Sequence, residues 1–328
     1  MKSGKIAESV LKRSVLKQFH KVRKDVEIGA SLAEDSAAVT TEGANYMTFS
    51  TDPVFGDLED PRGLAQRAVL RAVNNLAATG AEPVGIMSTV LFPTAANEPQ
   101  LRRLMEELQK ACEAFQLQIL GGHTEISKTV SVPVVIATGV GKSKRVIPTG
   151  NAKAGMDIIV TKWIGLQGTM EVLKIKEQEL SQHFTRPFLD KVQELEVFLP
   201  IVSEAAVAVS SGVSAMHDVS EGGIFAALWD MAEASGVGLE IDLKKIPIRQ
   251  ETVEICEYVG VNPYKLLSAG CLLMAAEDGN HVVREMEKAG ISATIIGKAT
   301  DGNDRVLINE DERRFLETPQ TDEIYSLK

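Results

Sequence analysis

Four short clusters of acids and small residues carry the chemistry open to this chain. The first is Met216-His217-Asp218-Val219-Ser220-Glu221-Gly222-Gly223. An apolar run over residues 210–216 leads in and a helical run over 224–234 leads out, so the stretch reads as a strand-to-helix turn. Ser220 or Asp218 can cap the helix, because a short side-chain oxygen accepts an orphan N–H. Gly222 and Gly223 let another group approach the backbone closely. Free N–H donors at a helix start suit a phosphate. Asp218 can hold the accompanying Mg²⁺, a hard cation that favours oxygen ligands. A plain capped helix fits the same residues.

The other clusters are Glu34-Asp35, Asp52, and Gly121-Gly122-His123-Thr124-Glu125. Glu34-Asp35 sits in a loop of small residues (29–39) that can close on a ligand or serve as a surface turn. Asp52 follows a short strand expected over 46–50, where ligand sites of α/β sheets often lie. The Gly121–Glu125 cluster ends a strand expected over 117–120. In an extended segment His123 and Glu125 point to the same face. The pair can bind a metal or handle protons, or form a satisfied polar turn. Four such clusters together point to one Mg-nucleotide site. No Walker A and no dinucleotide fingerprint is present.

The elements that must position these groups follow from periodicity. Residues 1–24 are basic, with Leu11, Val15, Phe19 and Val22 at helical spacing; the narrow apolar stripe predicts a helix packed on the body, with a membrane-surface helix as the alternative. Residues 45–141 read strand, helix (61–79), strand (84–92), helix (98–115), strand (117–120), strand (130–140). Residues 141–155 read as a connector. The second half predicts strands over 157–161, 238–243, 271–276, 292–297 and 305–309. Its helices fall over 165–179, 188–210, 224–234, 251–259 and 282–289. Three parts result: a helical segment 1–28 and mixed α/β domains over 29–145 and 146–328.

The chain has 328 residues, 44% hydrophobic, with net charge −10. That argues against a broad nucleic-acid footprint. Cys112, Cys256 and Cys271 form no CxxC pair, which suits a reducing cytoplasm better than a disulfide framework or zinc site. No run has the length of a membrane span.

The clusters, in order, resemble the superfamily of aminoimidazole ribonucleotide (AIR) synthetase, selenophosphate synthetase, thiamine monophosphate kinase and the carbamoyl dehydratase HypE. Glu34-Asp35-Ser36-Ala37-Ala38-Val39 is similar to the family's Asp-Asp-Ala-Ala-Val loop, and Ser50-Thr51-Asp52 to its Thr-Thr-Asp. Residues 73–83, Val-Asn-Asn-Leu-Ala-Ala-Thr-Gly-Ala-Glu-Pro, are similar to Val-Asn-Asp-Leu-Ala-x-x-Gly-Ala-x-Pro. Gly121-Gly122-His123-Thr124 resembles Gly-Gly-Asp-Thr. Residues 217–223 resemble Arg-Asp-x-Thr-Arg-Gly-Gly of the HypE branch.

The resemblance implies a two-domain PurM-like α/β fold and a homodimer paired through the N-terminal sheets. It implies ATP and Mg²⁺, a small-molecule substrate whose amide or acid oxygen is activated, and a maturation partner protein. Asp35, Asp52 and Asp218 become the metal-site residues. Asn75, Gly121, Gly122, Gly222 and Gly223 become nucleotide-site residues, and His123 and Asp218 the candidate catalytic pair. Regulatory nucleotide binding without turnover, or a small-molecule kinase, are the alternatives. Asn75 and His123 stand where the family carries Asp. Fewer carboxylates weaken Mg²⁺ binding. HypE carries its carbamoyl group on a terminal cysteine, whereas the last cysteine here is Cys271, so that chemistry is not expected to carry over intact.

Overall fold

A computed structural model describes residues 4–327. It divides into two compact units. One comprises Val22–Gly29 and Asp35–Val146; the other comprises Ala30–Glu34 and Ile147 onward, with the N-terminal residues through Lys21.

The first unit holds a six-stranded sheet in the order β1 (Val26–Ile28), β2 (Ala37–Thr40), β3 (Tyr46–Phe55), β6 (Val134–Ser143), β4 (Glu82–Pro93), β5 (Gln118–Ser127). Only β4 and β5 run parallel. One face is covered by the Pro61–Ala78 helix, which buries Leu64, Ala68, Ala72 and Leu76. Asp60 starts it by accepting the Gly63 N–H at 3.0 Å, with Pro61 in the first turn. Gly80, at φ 81°, lets the chain leave in the left-handed region. The Glu98–Ala114 helix packs beside it, opened by a capping box between Asn97 and Gln100. The other face carries exposed Phe49, Phe55 and Met87.

Two expected strand ends are not ends. β3 continues through Asp52 to Phe55, paired with β6 from Tyr46↔Ser143 to Phe55↔Val134. Pro53 does not stop it, because β2 pairs only as far as Phe49; beyond that point β3 has a free edge, where a missing N–H costs no ladder bond. β5 likewise continues through Gly121–Glu125, with its register against β4 shifted just before Gly121. Gly122 answers a close approach, since a Cβ there would lie 1.9 Å from the Ser88 carbonyl oxygen, whereas Gly121, with open space around it, takes a positive φ of 148° at a register shift against β4.

The second unit holds a seven-stranded sheet in the order β13 (Glu312–Phe315), β12 (Arg305–Asn309), β9 (Gly238–Asp242), β11 (Ala293–Thr300), β7 (Asp157–Thr161), β10 (Cys271–Ala276), β8 (Ala215–Val219). The Gly223–Ser235 helix is apolar almost all round and packs Ile224, Leu228 and Met231 into a core with Ile158, Leu239, Ile241 and Leu273. The single helix expected over 188–210 is broken into Arg186–Gln193, a 3₁₀ turn Glu194–Phe198, and Val202–Ser210. Pro200 accounts for the break, since proline cannot continue an interior helical ladder.

The N-terminal helix is also shorter than expected. Residues 8–18 form successive short helical turns, with Leu11 and Val15 half-buried and Phe19 and Val22 exposed. Polar contacts, more than an apolar stripe, hold this segment to the Gly223–Ser235 helix. Lys5 Nζ meets Asp230 at 2.9 Å, Trp229 Nε1 donates to Glu8 at 2.6 Å, and Lys12 Nζ meets Glu233 at 2.5 Å.

Candidate functional site

In the six-stranded unit, Asn75 is the hub. Its carbonyl accepts Ser36 Oγ at 2.8 Å, beside Asp35, and Thr79 Oγ1 at 3.3 Å. Its Nδ2 donates to Asp52 Oδ2 at 2.5 Å. The structure therefore ties the loop of Asp35, the helix of Asn75 and the strand of Asp52 together on the helix-covered face. An aspartate at position 75 would face Asp52 as a like charge, whereas the amide supplies a donor.

His123 is not part of that group. The ladder pairs Asp52 with Ala137, Ala137 with Ser88, and Ser88 with Gly122. Side chains alternate, so His123 lies on the opposite, open face of the sheet. There its Nε2 stands 3.5 Å from Glu125 Oε2, both exposed. The shared orientation expected of His123 and Glu125 is present; a common cluster with Asp52 is not.

In the seven-stranded unit, Asp218 sits within β8, in register with Leu272, and is buried. Neither Asp218 nor Ser220 caps the following helix. The N-cap is Gly222, at φ 87°, and its N–H donates to Asp322 Oδ2 at 2.6 Å. The Ser220 carbonyl accepts the Gly223 and Ser268 amides. Gly223 is small because a Cβ would lie 2.5 Å from the Tyr264 carbonyl oxygen.

His217, which reads from the sequence as an ordinary histidine without partner spacing, faces away from Asp218 along β8. Its Nδ1 lies 3.3 Å from Thr149 Oγ1 and its Nε2 3.8 Å from Asp230 Oδ2, all three residues buried. Burial pushes the Asp230 carboxyl upward, but His217 and Lys5 outweigh it and hold the group at about 2. One signal was available: Asp230 is a lone acid within the apolar run 224–232, and a buried charge needs a partner. The partners, 13 and 225 positions away, were not readable.

The three cysteines are buried. Burial raises the Cys112 thiol to about 11 and those of Cys256 and Cys271 to about 12, so near neutrality none is a thiolate nucleophile.

The donor chemistry fits Mg²⁺. Asp35 and Asp52, tied together in one unit, offer only oxygens, as does the Asp218 carboxylate within the other. Among the described residues no three His, Cys, Asp or Glu groups converge as a metal cage. Mg²⁺ does not need one, since it keeps several waters and uses one or two carboxylates with substrate phosphates.

Comparison with known proteins bears on this arrangement. The chain is 28% identical to a protein of Methanocaldococcus jannaschii named for hydrogenase expression and formation, covering 98% of this chain and 96% of the relative. In fold it is similar to HypE in a HypE–HypF complex, with TM-score 0.70, 20% identity, and coverage of 87% and 93% of the two chains. It is also similar to HypE in complex with ATP, with TM-score 0.69, 16% identity, and coverage of 98% and 97%. These likenesses establish the two-domain PurM-like fold. Residues 33–143 match the N-terminal domain, and residues 153–309 the C-terminal domain, of AIR synthase related protein; the chain belongs to that family.

Proposed function

We propose that the chain binds ATP with Mg²⁺ and uses it to activate an amide or acid oxygen of a small substrate in the cytoplasm. The supporting observation is the Ser36–Asn75–Asp52 arrangement, within a fold shared over nearly the whole chain with an ATP-bound HypE. Asp35, Asp52 and Asp218 would hold Mg²⁺, which when bound neutralises phosphate charge. Asn75 orients Asp52. Gly121, Gly122, Gly222 and Gly223 allow close backbone approach to the nucleotide. Asp218 is a proposed catalytic group; His123, on the sheet face opposite Asp52 with Glu125 3.5 Å away, is proposed separately as a proton-handling group.

A second reading, nucleotide binding without turnover, is favoured by one observation: Asn75 already occupies an oxygen of Asp52 that a metal would otherwise use. Incubation with ATP, Mg²⁺ and a metabolite pool, following ADP and phosphate, separates the two. Turnover above the protein-free rate supports the first. Binding without turnover supports the second, and absence of both overturns the nucleotide reading.

The exposed Phe49, Phe55 and Met87 on the open sheet face support a homodimer paired through that face. Light scattering at micromolar concentration should give twice the chain mass; a stable monomer contradicts it. HypE itself is found in complex with HypF, and a maturation partner protein belongs to the same proposal. Co-purification with a HypF-type protein at defined stoichiometry tests it, and no association at micromolar concentrations contradicts it.

A further inference from the structure

The chain brings one of its own carboxylates to the start of the Gly223–Ser235 helix. Asp322 arrives from 100 positions away and is only 3% exposed. Its Oδ2 accepts the Gly222 N–H at 2.6 Å and its Oδ1 the Ile324 N–H at 2.9 Å. The Leu267 amide also bonds to this carboxylate. Backbone amides converging on an anion at the positive end of a helix form the environment a phosphate oxygen takes. Here the anion is internal.

The same segment lines a cavity of about 180 Å³ at that corner, with Gly222, Phe225, Asn262, Lys265 and Arg314 on its other walls. A second acid of the segment, Glu317, reaches Lys265 Nζ at 3.3 Å. Two carboxylates of one short segment therefore engage an amide corner and a cation bordering one cavity. The segment is lightly anchored: Leu316 and Ile324 are buried, while most residues between them are exposed or half-buried. Segments with few buried apolar contacts open at low free-energy cost.

We propose that residues 316–327 form a displaceable latch, in which Asp322 and Glu317 stand in for anionic ligand groups and a nucleotide phosphate reaches Gly222 only when the segment lifts. This rests on the nucleotide reading above. It gives the Gly222 corner a state in which the chain competes with its own ligand. The contact then sets apparent affinity, because the binding-competent population is only a fraction of the whole.

Hydrogen exchange on the wild-type chain, with and without saturating Mg·AMPPNP, tests it without any substitution. The latch predicts faster exchange of the amides of residues 322–327 when nucleotide is bound. Calorimetry of Asp322→Ala and the near-isosteric Asp322→Asn should show Mg·AMPPNP binding tighter by about tenfold than wild type, once thermal melting confirms that each variant is folded. Nucleotide binding to wild type with unchanged exchange in this segment overturns the latch and leaves the nucleotide reading standing. So does equal or weaker affinity in the folded variants. Failure of wild type and both variants to bind nucleotide overturns the nucleotide reading, and the latch with it.

Discussion

Asn75 decides how Asp52 presents its charge. The 2.5 Å hydrogen bond from its Nδ2 satisfies one carboxylate oxygen. Asn75→Asp would replace that donor with a second carboxylate. Without metal, two like charges at this spacing destabilise each other and raise one pKa. With metal, they become paired hard ligands. The expected outcome is a lower melting temperature in chelator, recovered by millimolar Mg²⁺, and Mn²⁺ binding at least about tenfold tighter than wild type, a gain of about 1.4 kcal/mol. Titration with Mn²⁺ alone, followed by electron paramagnetic resonance, reads this directly. Equal Mn²⁺ affinity in the two proteins would show that Asp52 and residue 75 do not share a cation position. The sequence displayed both residues and the spacing of their motifs. It did not display that they touch, because a strand and a helix bring them together.

At the scale of elements, the Gly223–Ser235 helix gathers what local reading could not. Its lone buried acid, Asp230, is matched by His217 from β8 and Lys5 from the N-terminal segment. Burial opposes the charge, but these partners depress the Asp230 carboxyl from 3.8 to about 2. A depressed acid contributes stability that is present above its unfolded value and lost as pH falls through the folded one. The contribution, roughly 2 kcal/mol, should therefore fade between about pH 4 and pH 2. Melting curves of Asp230→Asn across that window should be flatter than those of wild type, and parallel curves would remove the pair from the stability account. Asp322 has the opposite sign. Burial raises it to about 6 against three amide bonds, with Glu221 adding to the rise. Its docking is therefore strongest at low pH and weakens as pH rises through about 6, so trypsin should cut after Arg314 or Lys265 faster, relative to other sites, at pH 7.5 than at pH 5.5. Periodicity made β7, β10 and β12 legible to the residue, because each is a short strand between turn residues. It misplaced the ends of β3 and β5, where pairing carries the chain on through Pro53 and, past a register shift, through Gly121 and Gly122 at positive φ.

For the whole molecule, the motifs taken together in chain order carried the family resemblance, with Val73–Pro83 the most specific match. What they could not convey is which faces the residues occupy. Asp35 and Asp52 in one unit and, separately, Asp218 in the other carry the proposed nucleotide and metal roles, which leaves His123 to proton handling on the open sheet face. Calorimetric titration of Mg·ATP into wild type, Asp52→Asn, Asp218→Asn and His123→Ala tests this most directly. The account predicts that each Asp variant loses about tenfold or more in affinity, about 1.4 kcal/mol. His123→Ala should retain affinity closer to wild type, because imidazole is a poor ligand for a hard cation. Unchanged affinity in both Asp variants, together with a large loss in His123→Ala, would contradict the account and move the nucleotide site to the open face of the sheet.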